Sequence, residues 1–338
     1  MPHCFLGIDV GGTKVHALIA DDSGKALSYG IAGPGNPLTV GYGGMTKALH
    51  EASQQALSEA KISKENIASA GFGVAGYDWP SQQEAILGAI QSLELNVPVK
   101  VVNDAIIGLL AGAEEGWGLA IVAGTGANCR GWDKERREGR VTGFGSRMGE
   151  GTGATDLVAD AIRAIAHEWT RRGPPTSLTQ AFMKLTDAHN IDALIEGLSL
   201  KQIKLGAEAA LVVFKVANEG DPVAMELIRL AGSELGSLAV DVIHQLGFEE
   251  LNFDVVLVGS MYDGSPVLVE TMRETIHSVA PGALLVRLSV PPVIGGVLLG
   301  MEQVGFQYSC IREALIRSTE KLMNRKFQTD AATSIIGE

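Results

Sequence analysis

Two glycine turns, about a hundred residues apart, are the parts of this chain best suited to chemistry. The first is Gly7-Ile8-Asp9-Val10-Gly11-Gly12-Thr13-Lys14, and the second is Ala123-Gly124-Thr125-Gly126-Ala127-Asn128. Each follows a short apolar run that reads as a strand, Cys4 to Ile8 and Leu119 to Val122. Glycine lets backbone N–H groups bend closely around a phosphate. Strand–glycine–strand is equally the pattern of an ordinary hairpin, so either turn alone supports both readings. Together they suggest two clamps on one polyphosphate. Thr13 and Lys14 can donate to phosphate oxygens, although Lys14 is equally at home in solvent.

Two acids stand beside these turns. Asp9 would repel phosphates unless Mg²⁺ or water lies between, which makes it a candidate metal partner through water. An Asx turn that stabilises the hairpin is the other reading. In Val101-Val102-Asn103-Asp104-Ala105 a strand ends and a helix begins, so Asp104 lies at or beside an N-cap. A carboxylate at the C-terminal end of an α/β strand also faces the crevice where ligands bind. There it can accept the proton of a hydroxyl that attacks phosphorus.

The elements that must position these residues follow from periodicity. Residues 4–10, 14–20 and 25–32 read as three strands, followed by a helix over 43–60. Strand 68–74, helix 83–93, strand 97–102 and helix 105–113 come next. The order then restarts with strands 118–122, 127–132 and 139–142, and helices follow from 152. Segment 222–247 is the clearest helix, with Pro222 at its start and Gly247 past its end. Its apolar stripe reads Leu227, Ala231, Leu235, Leu238, Val242 and Leu246. Strand 255–258, helix 265–279, strand 284–288, helix 293–303 and a charged helix over 308–324 complete the order. The tail after Phe327 reads as loose. Three strands and then alternating units, twice over, predict two similar α/β domains with an interdomain cleft.

Composition narrows the partners. At 338 residues and 46% hydrophobic, the chain can fill two cores. A formal net charge of −12 argues against nucleic acid and against an anionic membrane surface. No apolar run reaches the ~18 residues of a membrane span. The N-terminus runs straight into a strand without an apolar leader, and Cys4, Cys129 and Cys310 are far apart. Both features predict a cytoplasmic protein with no cysteine-built metal site.

These residues resemble the N-acetylglucosamine kinase group of the BadF/BadG/BcrA/BcrD ATPase family, within the sugar kinase–Hsp70–actin superfamily. The resemblance covers roughly residues 4–305. Asp9 to Lys14 is similar to the first phosphate motif, and Gly124-Thr125-Gly126-Ala127-Asn128-Cys129-Arg130 to the second. Asn103-Asp104-Ala105 matches the segment that holds the catalytic aspartate, and Val258-Gly259-Ser260 resembles the adenosine motif.

The resemblance implies two ribonuclease H-like domains, 1–116 and 117–305, with helix 306–326 returning to the first. It implies ATP and Mg²⁺ as cofactors, Asp104 as general base, and a homodimer. It further implies a small-molecule sugar on Asn36, Gly76, Tyr77, Asp78, Asn103, Thr125, Gly145 and Glu150. The activity implied is phosphorylation of a hexose or amino sugar, such as N-acetylglucosamine or glucosamine, at the 6-hydroxyl. One stretch departs from the family's Gly-Asp-Glu-Gly-Ser: Gly149-Glu150-Gly151-Thr152-Gly153 has one carboxylate fewer, which bears on sugar identity. The alternative is an ATPase activator driving electron transfer in a partner dehydratase or reductase, which requires cysteines placed to share an iron–sulfur cluster.

Overall fold

The computed structural model describes residues 3–306 and 311–335. It forms two compact units, Met1–Gly118 with Val286–Glu338, and Leu119–Leu285. Each is an α/β unit built on a five-stranded sheet.

In the first unit, β1 (Cys4–Val10), β2 (Val15–Asp21) and β3 (Ala26–Ala32) form an antiparallel meander. The chain crosses through α1 (Pro37–Ala60) to β4 (Ile67–Val74), then through α2 (Gln83–Gln91) to β5 (Val99–Asn103). β1, β4 and β5 are parallel, and the strand order is β3-β2-β1-β4-β5, the ribonuclease H-like order. Alternation along β1 explains the two packed faces. Leu6, Ile8 and Val10 join Met45, Leu49 and Ala52 of α1 in one core cluster. Phe5 joins the cluster on the other face, with Val293, Val297 and Met301.

Those last residues belong to α10 (Val293–Gln303), and they move a boundary. The sequence reading kept residues through 305 in the second domain. Instead α10 packs on β1, β4 and α3 (Asp104–Gly112), all of the first unit. Helix α11 (Arg312–Ile335) joins it: Ala26 N donates to Ser318 Oγ at 2.9 Å, and Leu315 is buried in the same cluster. The helix continues through Ile335, so the tail after Phe327 is not loose up to that point.

The second unit repeats the opening. Strands β6 (Gly118–Ala123), β7 (Ala127–Trp132) and β8 (Glu138–Arg140) are followed by α4 (Ala154–Trp169). Then come α5 (Ser177–Thr186), α6 (Ile191–Ser199), α7 (Ala210–Asn218) and α8 (Pro222–Leu246). β9 (Phe253–Val258), α9 (Pro266–His277) and β10 (Ala283–Arg287) complete an order of β10-β9-β6-β7-β8. Gly247 ends α8 in the left-handed conformation with φ 70°, as its position predicts. The buried face of α8 keeps Leu235, Leu238 and Val242 of the apolar stripe and adds Ala224, Ile228, Gly232, Gly236, Ala239 and Ile243, while Leu227, Ala231 and Leu246 are only partly buried. No helix among the described residues is long and apolar enough to cross a membrane.

Candidate active site

The first unit gathers its predicted residues by strand register. Val10 pairs beside Val74, and Val74 beside Asn103, so three parallel strands end in one row. At strand spacings of roughly 4.8 Å, the row from β1 to β5 spans about 10 Å. Asp9 and Gly11 lie at one end of it, Gly76 to Asp78 in the middle, and Asn103 and Asp104 at the other. Main-chain bonds tie the loops together. The Gly11 carbonyl accepts from Gly35 N and Asn36 N, both at 3.1 Å, and Ala75 N donates to the Val10 carbonyl at 2.9 Å.

The first glycine turn joins β1 to β2. It is a hairpin closed by Gly11 N donating to the Lys14 carbonyl at 2.9 Å. Gly12, Thr13 and Lys14 are nevertheless exposed, as a phosphate-binding turn requires. Asp9 faces its cross-strand partner His16, with Oδ2 3.7 Å from Nδ1. His16 stacks on Tyr29 at 5.5 Å, and burial, then the Asp9 charge, push the Tyr29 hydroxyl well above its ordinary pKa. A lone, partly exposed carboxylate beside an open glycine turn fits Mg²⁺, which keeps several waters and shares its ligands with phosphates.

Asp104 is the first residue of α3, and the cap is its neighbour. Asn103 Oδ1 accepts from Ala105 N at 3.0 Å. Asp104 Oδ1 shares the same Ala105 N–H at 3.1 Å, so its carboxylate adds to a cap that Asn103 already forms. Asn103 is only 2% exposed and also donates from Nδ2 to the Tyr77 carbonyl at 3.2 Å and to Asp78 Oδ1 at 3.3 Å. Its side chain holds the Gly76–Asp78 turn. The Tyr77 side chain packs against the core cluster, leaving its backbone to the turn. Asn36 caps α1 by accepting from Leu38 N at 2.9 Å.

The second unit builds its turn the same way. Between β6 and β7, Gly124 N donates to the Gly126 carbonyl at 2.9 Å, while Thr125 and Gly126 stay exposed. Asn128 is the second residue of β7. The N-terminus of α4 is fastened to this turn: Ala154 N donates to the Gly124 carbonyl at 2.9 Å and Thr155 N to the Thr125 carbonyl at 3.1 Å. A Cβ on Gly153 would lie 2.6 Å from the Gly126 carbonyl carbon, so only glycine fits at this joint. Gly259, just past β9, has φ 110° and lies where a Cβ would be 2.7 Å from the Ala123 carbonyl carbon. It thus passes beside the strand that leads into the turn, and Ser260 follows it.

A cavity of about 380 Å³ opens here, lined by Thr125, Glu208, Phe214, Ser260, Asp263 and Gly264 among others. Ser260 and the turn were expected at a nucleoside site, whereas Glu208, Phe214 and Asp263 were not. They stand on α7, the one-turn segment before it and the turn after Ser260, where hydropathy carries no signal of a cavity wall.

Glu150 is buried within its own loop. It is 8% exposed, and its carboxylate accepts from Thr142 N at 2.7 Å, Thr142 Oγ1 at 2.8 Å and Phe144 N at 3.1 Å. It closes a loop whose turns are made by Gly143, Gly145 and Gly149, all at positive φ. Phe144 and Met148 project from that loop, 57% and 62% exposed. A carboxylate with three internal donors orders the loop.

Among the described residues, the cysteines do not fit an iron–sulfur site. Cys4 and Cys129 are buried in strands, and burial pushes both thiols up in pKa. Cys310 lies outside the described residues. No group of three or more potential metal-ligating side chains occurs among the described residues.

Similarity to known proteins agrees with this geometry. The sequence profile of the BadF/BadG/BcrA/BcrD ATPase family matches residues 6–300. The chain is 26% identical over 303 residues to an N-acetylmuramic acid/N-acetylglucosamine kinase of Clostridium acetobutylicum, covering 88% of this chain and 98% of that one. It is 25% identical over 310 residues to an N-acetyl-D-glucosamine kinase of Dictyostelium discoideum, covering 88% and 97%. Its fold is shared with the crystal structure of a provisional N-acetylglucosamine kinase from Chromobacterium violaceum, at TM-score 0.68 and 20% identity, over 88% and 99% of the two chains.

Proposed function

The chain belongs to the BadF/BadG/BcrA/BcrD ATPase family, and from that premise we propose that it is an ATP-dependent kinase of an amino sugar such as N-acetylglucosamine or glucosamine, acting at the 6-hydroxyl. One observation carries the reading. The register that ends β1, β4 and β5 in a row sets Asp104 beside the Gly76–Asp78 turn, on the same sheet edge as Asn36 and the Gly11-Gly12 turn. Two full-length relatives whose names carry N-acetylglucosamine kinase support the substrate class.

In this reading Asn36 and the Gly76–Asp78 turn hold the sugar hydroxyls. Asp104 accepts the proton of the exocyclic hydroxyl as its oxygen attacks the γ-phosphorus and ADP departs. The N–H groups of Gly11, Gly12 and the Gly124–Gly126 turn donate to phosphate oxygens, with Thr13, Lys14, Thr125 and Asn128 at their sides. The 380 Å³ cavity takes the nucleoside beside Gly259 and Ser260. Asp9 would hold Mg²⁺ through water, and the ion would supply charge neutralisation at the β- and γ-phosphates.

A coupled ADP-release assay over glucose, glucosamine, N-acetylglucosamine and N-acetylmuramic acid tests the proposal. ADP release that requires one of these sugars is the expected result. Release at the same rate with and without every sugar would remove the kinase reading and favour an ATPase activator.

A further inference from the structure

The Gly76–Trp79 turn between β4 and α2 is pinned from two sides. Asn103 holds it from β5, as described above. The second anchor is Gln82, the last residue of a one-turn helical segment, Pro80–Gln82. Its Oε1 accepts from Asp78 N and from Trp79 N, each at 2.8 Å, and its Nε2 donates to the Gly76 carbonyl at 2.8 Å. One amide thus satisfies groups on both arms of the turn, as a neighbouring strand would. Gly76 sits at φ 79°, and Tyr77 N donates to the Val74 carbonyl at 3.2 Å where the turn leaves β4.

We propose that Gln82 is a positioning residue for the acceptor sugar: it fixes the backbone groups of Gly76, Tyr77 and Asp78 in the geometry that meets the sugar hydroxyls. The inference rests on the kinase reading, in which this turn faces the sugar. An amide suits the task because it offers both an acceptor and a donor and carries no charge. A carboxylate would keep the two accepted bonds but would set negative charge against the Gly76 carbonyl. An ordered turn has its entropy cost met before the sugar arrives, so disorder appears as weaker sugar binding.

The experiment is steady-state kinetics on Gln82→Ala and Gln82→Glu, with amide hydrogen exchange on the same proteins. Losing three hydrogen bonds at a part-exposed turn is expected to raise the sugar KM by about 10- to 100-fold in Gln82→Ala. The ATP KM should stay within about twofold, because the cavity proposed for the nucleoside is lined by residues of the other unit. Gln82→Glu should fall between the wild type and Gln82→Ala. The Asp78 and Trp79 amides should lose protection in the same rank order.

A merely structural role would lower the melting temperature without separating the two KM values. If Gln82→Ala fails to fold, Gln82→Glu carries the kinetic test, and the wild-type Asp78 and Trp79 amides should gain protection when sugar binds. An active wild type whose variants keep the sugar KM while these amides lose protection would overturn the positioning role alone. A wild type that releases no ADP with any sugar would overturn the kinase reading and this inference with it.

Discussion

Glu150→Ala distinguishes a carboxylate that holds a loop from one that holds a sugar. The wild-type side chain accepts three hydrogen bonds, from Thr142 N, Thr142 Oγ1 and Phe144 N. Bonds to a charged acceptor contribute about 1.5–3 kcal/mol each. Water can replace part of that at a loop whose tip is exposed, so about 1–1.5 kcal/mol per bond is the appropriate figure. The sum is about 3–4.5 kcal/mol, or roughly two to three orders of magnitude in the population of the closed loop. Glu150→Gln should cost only about 1–1.5 kcal/mol, since the amide oxygen still accepts from the backbone and its NH₂ can donate to Thr142 Oγ1. Hydrogen exchange at the Thr142 and Phe144 amides, read with the sugar KM, is the assay. The expected order of protection is wild type, Gln, Ala, with the sugar KM rising in parallel. If both variants raised the sugar KM equally and left those amides protected, Glu150 would be a direct sugar ligand and the loop argument would fall.

Three further perturbations follow from the geometry. Asp104→Asn should fold normally because Asn103 supplies the helix cap, and should bind both substrates, yet turn over about 10²- to 10⁴-fold more slowly; wild-type turnover would remove Asp104 as the base. Ala207→Trp should fill the 380 Å³ cavity and raise the ATP KM by about tenfold or more while sparing the sugar KM, and an unchanged ATP KM would show that the nucleoside binds elsewhere. Asp221 caps α8 and also accepts from Ser177 N and Thr176 Oγ1; burial opposes its charge, but these bonds prevail and hold its carboxyl below the usual range. That stability is present above the unfolded pKa of about 3.9 and is lost as pH falls through the folded value. Asp221→Ala should therefore cost about 2 kcal/mol in urea unfolding at neutral pH and progressively less in acid, and a deficit independent of pH would contradict the assignment.

Strand order was legible because it depends on features that a single segment carries. Alternating apolar runs, the Asp21-Asp22-Ser23-Gly24 turn and the Pro222–Gly247 pair each announce themselves locally. Only half of the α8 face was legible, because Gly232 and Gly236 pack against α9 without adding any hydropathy: a Cβ on Gly232 would lie 2.5 Å from the Leu268 carbonyl oxygen. The placement of α10 was missed for a related reason. Val293 to Met301 is apolar all round, so the pattern says that the helix is buried but not against which sheet.

The site divides along the same line. Glycine turns and strand-end acids could be picked out because their backbone chemistry is fixed by residue type. Side-chain roles could not be assigned that way, since a polar group of one type can point at a ligand or at its own chain. Asn103 and Glu150 were read as ligand contacts and prove to spend their hydrogen bonds on the Gly76–Asp78 turn and the Thr142–Glu150 loop. Gln82, which had no motif to mark it, does the same work as Asn103 on the same turn. The backbone therefore carries much of the proposed recognition, and inward-facing amides and carboxylates set its shape. Such a site can change its sugar preference through residues that never touch the sugar. The carboxylate missing at Gly151, next to the Glu150 that closes the loop, is where that argument places the first difference from the family pattern.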